Sequence, residues 1–187
     1  YVFMNKYYFL ILFALTLFQT GLAQDKLITV EEIYQGGFRT EGMDVLRSLK
    51  NGKQYTVLNF DRNSSITTID KYDYKTLKKI ETIISSSDLK DVPYFTSYEF
   101  NADESKIILA SDLESIYRHS ALGIYYIYDI ASKSIVKIAD YKIQEPSLSP
   151  NGKQVAYVKD NNIFLFNIAS KETIQVTTDG EKNKIIN

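Results

Sequence analysis

The chain of 187 residues is 44% hydrophobic and 13% aromatic, a composition typical of a globular protein and not of a disordered one. Its formal net charge of −1 predicts no electrostatic binding to nucleic acid or to an anionic membrane, so no nucleic-acid partner is expected. Cysteine is absent and the single histidine is His119, which excludes disulfides, thiolate metal sites and multi-histidine zinc sites. No metal or other cofactor is expected.

The first predicted element is a signal peptide over residues 1–23. Lys6 precedes an apolar run of twelve residues that ends at Phe18, and small residues lead up to Ala23, which predicts cleavage before Gln24. A retained membrane anchor is the alternative, but a helix needs about 20 apolar residues to span a bilayer. We therefore expect export, with the mature protein in the periplasm or secreted.

A lead-in over residues 24–48 follows the leader. Thr29 and Glu32 have the spacing of a capping box, in which the threonine hydroxyl and the glutamate satisfy free amides at the start of a helix. The pattern predicts a short helical turn through Tyr34, ended by the glycine pair at 36–37, and a polar loop is the alternative. The acidic residues here are interpreted as capping groups and not as catalytic acids.

Residues 49–187 contain repeats. Residues 51–58 (NGKQYTVL) return as 151–158 (NGKQVAYV), and residues 100–110 (FNADESKIILA) return 48 positions later as 148–158 (LSPNGKQVAYV). Asn-Gly favours a tight turn with positive φ, and the β-branched and aromatic residues after it favour a strand. Each repeat therefore predicts strand, turn and strand, followed by a connector and an outer hairpin.

Three such units are visible, with turn centres near Gly52, Glu104 and Gly152. This spacing is typical of four-stranded propeller blades, whereas a β-sandwich has no long-range sequence period. The predicted fold class is all-β, a partial β-propeller of about three four-stranded blades. Because propellers close with roughly 4 to 8 blades, we expect the chain to be the front end of a longer protein.

The second unit is longer than the third. Its outer segment, residues 125–133 (YYIYDIASK), returns after 38 positions as 163–171 (IFLFNIASK), whereas its inner segment returns after 48. About ten extra residues therefore lie between its halves, and Arg118 is among them. We expect these residues to be an addition to the blade that is not part of its strands, and to carry a function.

The order of these features resembles the N-terminal part of the dipeptidyl peptidase IV family of serine peptidases, in the prolyl oligopeptidase class. The resemblance lies in residues 30–37 (VEEIYQGG), in 117–120 (YRHS) followed by 128–130 (YDI), and in 148–158. The Arg-His-Ser sequence in a lengthened loop is its most specific part, since many unrelated propellers contain turns like SPNGK.

The resemblance implies an eight-bladed propeller that caps an α/β-hydrolase domain, with the active site enclosed between them. Family members remove dipeptides from peptide N-termini when proline or alanine is second. The expected partners are peptide substrates and the protein's own C-terminal hydrolase domain, and a homodimer stays open. Arg118 matches the family arginine that binds a substrate backbone carbonyl, and its rigid fork of donors suits that task.

The resemblance also implies that the family's glutamate pair and its catalytic triad fall beyond Asn187. The chain by itself is therefore expected to contain no catalytic residue and to be inactive. His119 has no nucleophile-elbow pattern near it, so it is interpreted as a structural neighbour of Arg118.

Two functions from different classes remain open. One is the substrate-binding and gating part of an exported serine-type dipeptidyl peptidase. The other is a non-catalytic exported propeller that binds a protein or glycan partner through the Arg118 loop. For Arg118 alone, the further alternative is a solvated surface arginine or one paired with Glu114.

Overall fold

The computed structural model describes residues 28–38, 42, 45–118 and 120–185. The predicted signal peptide and His119 lie outside the described residues. The chain divides into two units, Tyr1–Met43 and Asp44–Asn187. Among the described residues, no helix is both long enough and apolar enough to cross a bilayer.

The N-terminal unit contains a short helix, Val30–Tyr34 (α1). Thr29 has an extended backbone, and its Oγ1 accepts a hydrogen bond from the Glu32 amide at 3.2 Å, so the predicted N-cap is confirmed. After the helix, Gly36 adopts a φ of 77°, which glycine reaches without a steric cost. The predicted stop at the glycine pair is therefore also found.

In the described part of the second unit, twelve strands form three four-stranded antiparallel sheets. Within each sheet every strand pairs with the next one along the chain, which is the topology of a propeller blade. We call these sheets the first, second and third blades. The strands are Leu46–Ser48 (β1), Gln54–Asp61 (β2), Ile66–Asp73 (β3), Lys79–Ser85 (β4), Ser97–Phe100 (β5), Lys106–Tyr117 (β6), Ser120–Asp129 (β7), Ser134–Lys137 (β8), Gln144–Leu148 (β9), Gln154–Lys159 (β10), Asn162–Asn167 (β11) and Thr173–Gln175 (β12).

The turn between the first two strands is built the same way in each blade. Gly52, Glu104 and Gly152 have φ values of 64°, 59° and 65°. The residue before each of them is Asn or Asp, and its side-chain oxygen accepts the backbone amide two positions along, at 2.9 Å, 3.0 Å and 3.1 Å. These side chains imitate a backbone turn, which explains why the sequence repeats most clearly here.

The two buried cores lie between neighbouring blades, on opposite faces of β6. Ile107 and Leu109 pack with residues of the first blade, whereas Ile108 packs with residues of the third. Adjacent side chains of a strand point to opposite faces, so a strand buried on both sides is apolar throughout. Tyr126 and Tyr128 lie in the first of these cores, and Tyr125 packs against the second.

Polar contacts between the first and second blades involve β1, β2 and β5 and the turns that follow β1 and β5. Thr56 and Tyr98 join their hydroxyl groups at 2.7 Å in a buried position. The guanidinium carbon of Arg47 lies 5.0 Å above the centre of the Tyr98 ring, and the Lys50 amide donates to Glu104 Oε1 at 2.7 Å. These contacts fix how the first and second blades stack.

Candidate functional site

Arg118 lies at the tip of the inner hairpin of the second blade, where Tyr117 ends β6 and pairs with Ser120 of β7. The corresponding strands of the third blade, β10 and β11, have 6 residues each, whereas β6 and β7 have 12 and 10. The extra residues extend the strands themselves. The expectation that they form no part of the strands is therefore wrong.

This extension, residues 112–118 and 120–123, is called the ribbon below. It begins at the position where the third blade turns back. There, Asp160 and Asn161 have φ values of 49° and 61°, as a two-residue type I′ turn requires. The two sequence offsets of 48 and 38 match Asp112 to Asp160 and Gly123 to Asn161. Asp112 keeps the φ of 49°, but the strand continues past it after a register shift.

Gly123 allows the two strands to approach closely where the ribbon begins. A Cβ atom built on it would lie 2.5 Å from Leu113 Cδ2, 3.1 Å from Tyr125 Cε2 and 3.3 Å from Ser111 O. The first of these atoms is at the end of a flexible side chain, but the other two belong to a packed ring and to the backbone. The site therefore favours a residue without a side chain.

The connector that leads to the third blade contacts the β6 side of the ribbon through one lysine. Lys142 Nζ lies 3.3 Å from Asp112 Oδ2 and 3.3 Å from Glu114 Oε2. Partial desolvation alone lowers the pKa of Lys142, but the hydrogen bonds and charges of the two carboxylates outweigh it and raise the pKa. Lys142 therefore keeps its charge at least as far into alkaline pH as an ordinary lysine does.

The same connector contacts the β7 side through the backbone. Ile143 N donates to Gly123 O at 2.9 Å, and Gly123 N donates to Ile143 O at 3.0 Å. At the beginning of β9, Gln144 Nε2 donates to Ser120 Oγ at 3.3 Å. Both strands of the ribbon are thus tied to the connector.

The Arg118 side chain is exposed, and within residues 45–118 and 120–185 no carboxylate forms a salt bridge with it. Glu114, the acid that the sequence offered as its partner, pairs with Lys142 instead. The ribbon also exposes apolar surface, since Tyr117 is 79% exposed. The arrangement presents a guanidinium with its donors available to an acceptor outside the described chain.

A concavity of about 470 Å³ lies where the first strands of the three blades meet. Its lining includes Arg47 of β1, Glu99 of β5 and Ser147 of β9, together with the turn at Asn101–Glu104. That turn precedes β6, whereas Arg118 follows it, and a strand of 12 residues is roughly 40 Å long. The concavity and Arg118 are therefore at opposite ends of the second blade.

In the described part of the chain, no three His, Asp or Glu side chains come close enough together to hold a metal ion. The ribbon and Lys142 offer hydrogen bonding and charge.

Comparison with known proteins identifies the family. Residues 101–187 match the family described as the dipeptidyl peptidase IV N-terminal region. The crystal structure of Porphyromonas gingivalis dipeptidyl peptidase 4 superposes with a TM-score of 0.70 at 34% sequence identity, over 84% of this chain and 22% of that one. The chain belongs to the dipeptidyl peptidase IV family. The residues that match the family include Arg118 and the whole of the third blade.

Two curated relatives match over most of the chain at lower identity. The chain is 28% identical over 172 residues to "Probable dipeptidyl-aminopeptidase B" of Pyrenophora teres f. teres, covering 83% of this chain and 18% of that protein. It is 29% identical over 164 residues to "Prolyl endopeptidase FAP" of Homo sapiens, covering 87% of this chain and 20% of that protein. The chain thus spans about a fifth of the length of these relatives.

The sequence pointed to Arg118 but not to the residues at the base of the ribbon. No sequence pattern points to Lys142, because its partners lie 28 and 30 positions earlier in the chain. Asp112 and Gly123 could have been found, since the two repeat offsets point to them as the ends of the added segment.

Proposed function

We propose that the chain forms the substrate-binding part of the propeller of a serine-type dipeptidyl peptidase that removes X-Pro and X-Ala dipeptides from peptide N-termini. The observation that carries the proposal is Arg118, exposed at the tip of the ribbon with no acidic partner in the described chain. The family membership and the relatives' names support a peptidase. In this proposal an α/β-hydrolase domain supplies the catalytic triad, and further blades complete an eight-bladed ring.

The proposed role of Arg118 is to hold a backbone carbonyl of the substrate near the scissile bond. A guanidinium is always charged and donates from a planar fork, so it can bind a carbonyl in one orientation. Holding the substrate in a reactive geometry lowers the entropic part of the barrier. Arg118 itself takes part in no bond making, and the chain contributes binding and orientation.

The test is Arg118→Ala in the protein that includes the hydrolase domain, assayed on a Gly-Pro or Ala-Pro chromogenic substrate. A hydrogen bond to a charged group contributes about 1.5–3 kcal/mol, so kcat/KM is expected to fall by roughly ten- to a hundredfold. The melting temperature should stay nearly unchanged, because the Arg118 side chain has no salt bridge in the described chain.

Two control variants sharpen this test. Arg118→Lys should recover little activity, because an ammonium group lacks the planar fork. Arg62→Ala removes an exposed arginine from the corresponding turn of the first blade and should leave kcat/KM unchanged. An unchanged kcat/KM in Arg118→Ala would remove Arg118 from the site, and a large loss of melting temperature would make its role structural.

The second candidate function is a non-catalytic propeller that binds a protein or glycan. The ribbon favours it in one respect, because Leu113, Ile116 and Tyr117 are 41%, 38% and 79% exposed. Two observations together would support this candidate against the peptidase. The full-length protein would be exported but hydrolyse none of these substrates, and its gene would encode no Gly-x-Ser-x-Gly elbow.

We also propose that the protein is exported and that its leader is removed near Ala23. The support is the sequence pattern of a positive end, an apolar core and small residues before Gln24. Sequencing of the mature N-terminus is expected to give Gln24 or a residue next to it. Membrane-bound protein that keeps Met4 would contradict the proposal.

A further inference from the structure

We infer that Lys142 is a positioning residue for Arg118, which holds the β6 strand of the ribbon in place by binding Asp112 and Glu114 together. The inference rests on the proposed function of Arg118 and assigns a second residue to it. Lys142 is 24 positions away from Arg118 and belongs to the connector between the second and third blades.

The ribbon needs such support because it leaves the sheet. β5 pairs with β6 only as far as Ala110, and β8 pairs with β7 no further than Tyr126. Beyond these points the two ribbon strands pair with each other, and a two-stranded hairpin is only marginally stable in water. Without further contacts, the tip of the ribbon would move relative to the blade.

The connector holds the two ribbon strands in different ways. On β7 it forms the backbone bridge between Ile143 and Gly123 and the bond from Gln144 to Ser120. On β6 it contacts Asp112 and Glu114 through the two ion pairs of Lys142. Because Arg118 directly follows β6, the lysine controls the strand that carries the arginine.

The geometry of the lysine fits this role. Its Nζ is at the same distance, 3.3 Å, from both carboxylates. Its side chain is 29% exposed, whereas those of Asp112 and Glu114 are 61% and 66% exposed. The lysine is thus the anchored member of the group, and the acids are held to it from the ribbon.

The experiment compares Lys142→Met with the wild type in the protein that includes the hydrolase domain. Each exposed ion pair contributes little free energy, so the melting temperature should stay unchanged. Losing both pairs loosens the strand that carries Arg118, and we expect kcat/KM to fall by roughly three- to tenfold. Lys142→Arg keeps the charge and should restore most of the activity. Lys137→Met is the matched control, since Lys137 pairs with Asp140 at 3.0 Å, close to the same connector but away from the ribbon.

A double-mutant cycle separates positioning from a general loss of structure. If Lys142 acts through Arg118, Lys142→Met should have almost no further effect on kcat/KM in the Arg118→Ala background. An equal loss in both backgrounds, or no loss in the wild-type background, overturns the inference. Loss in Arg118→Ala without loss in Lys142→Met would leave the proposed function standing and remove Lys142 from it.

A measurement that does not depend on activity covers the case of an inactive wild type. Amide hydrogen exchange over residues 113–117 should become roughly three- to tenfold faster in Lys142→Met, because the strand loses its tie to the connector. Exchange in β10 should not change. Unaltered exchange in the ribbon overturns the inference even if the peptidase proposal fails for other reasons.

Discussion

The inner hairpins of the second and third blades are built on the same plan and end differently. In the third blade, β10 and β11 are closed by Asp160 and Asn161, both with positive φ. In the second blade, the corresponding Asp112 keeps its positive φ, but the strands continue to Arg118 before the chain returns through Gly123. The hairpins pair in equivalent register on the blade side of these positions.

The comparison separates the residues that build a blade from those added to it. Up to Asp112 and from Gly123 onward, the second blade has the same elements as the third. The ribbon between these points is exposed along β6, and it carries the guanidinium that we propose for substrate binding. Mutations in the blade should therefore change mainly the stability of the protein, whereas mutations in the ribbon should change mainly its activity.

The largest effect is expected from deleting residues 113–122. The deletion joins Asp112 directly to Gly123, and Asp-Gly is a favourable type I′ turn, so the second blade should close as the third does. We expect at least about a hundredfold loss of kcat/KM on Gly-Pro substrates, because Arg118 and the two strands that carry it are removed together.

The deletion should leave a cooperative thermal melt within a few degrees of the wild type, measured by circular dichroism. A variant that fails to fold would contradict the separation of ribbon and blade. Retained activity would contradict the role of the ribbon in substrate binding.

A smaller effect, on stability, is expected from Asn162→Ala in the third blade. Asn162 is 9% exposed, and its Oδ1 accepts hydrogen bonds from Gly180 N at 3.0 Å and Thr177 Oγ1 at 3.2 Å. Removing a buried acceptor leaves these donors unsatisfied and should lower the free energy of unfolding by about 1–3 kcal/mol. The measurement is urea denaturation of the full-length protein.

Gln175→Ala is the matched control for that variant. Gln175 bonds to the same segment, donating to Thr177 O at 2.8 Å, but it is exposed. Its loss should change the free energy of unfolding by less than about 0.5 kcal/mol. Similar effects of the two variants would show that burial of Asn162 does not hold this end of the third blade.

The smallest effect concerns a charged pair that the third blade lacks. Lys106 and Asp129 face each other in the second blade, where the third has Gln154 and Asn167. The hydrogen bond from Lys106, with further bonds from Ser132, lowers the pKa of Asp129 from 3.8 to about 2. The contribution of this carboxylate to the free energy of unfolding is therefore fully present above about pH 4 and is lost as the pH falls through about 2.

The double variant Lys106→Gln and Asp129→Asn should have a flatter dependence of unfolding free energy on pH over that range. Solvent screening limits the difference to about 0.5 kcal/mol, since the two side chains are 22% and 27% exposed. The turn should survive, because Asn167 accepts backbone amides in the same way in the third blade. Equal pH dependence of variant and wild type would show that the pair does not contribute.

The blades could be predicted from sequence because their turns depend on local chemistry. The positive φ values at Gly52, Glu104 and Gly152 follow from residue types that the repeats display directly. Burial between blades likewise leaves apolar strands such as residues 106–111. The first strand alone departs from the expected boundary, since β1 begins at Leu46 inside the predicted lead-in.

The ribbon could not be recognised as a pair of strands for a physical reason. A strand reveals itself by burying one face or both, and residues 112–118 bury neither. Its ties to Lys142 are long-range, so no sequence window contains both partners. The location of Arg118 in an added segment was predicted correctly, whereas its role in substrate binding stays a prediction.

The adjacent ends of the ribbon have a consequence for how such proteins change over evolution. Asp112 and Gly123 lie next to the paired residues Ser111 and Ile124, at the positions where the third blade has its two turn residues, so a segment can be gained there without moving either strand. Each two-residue turn of this kind, including that at Asp160 and Asn161, is a place where a new hairpin can be acquired in one genetic event. Propellers of this type can therefore diversify what they recognise turn by turn, while the ring that carries the turns is inherited unchanged.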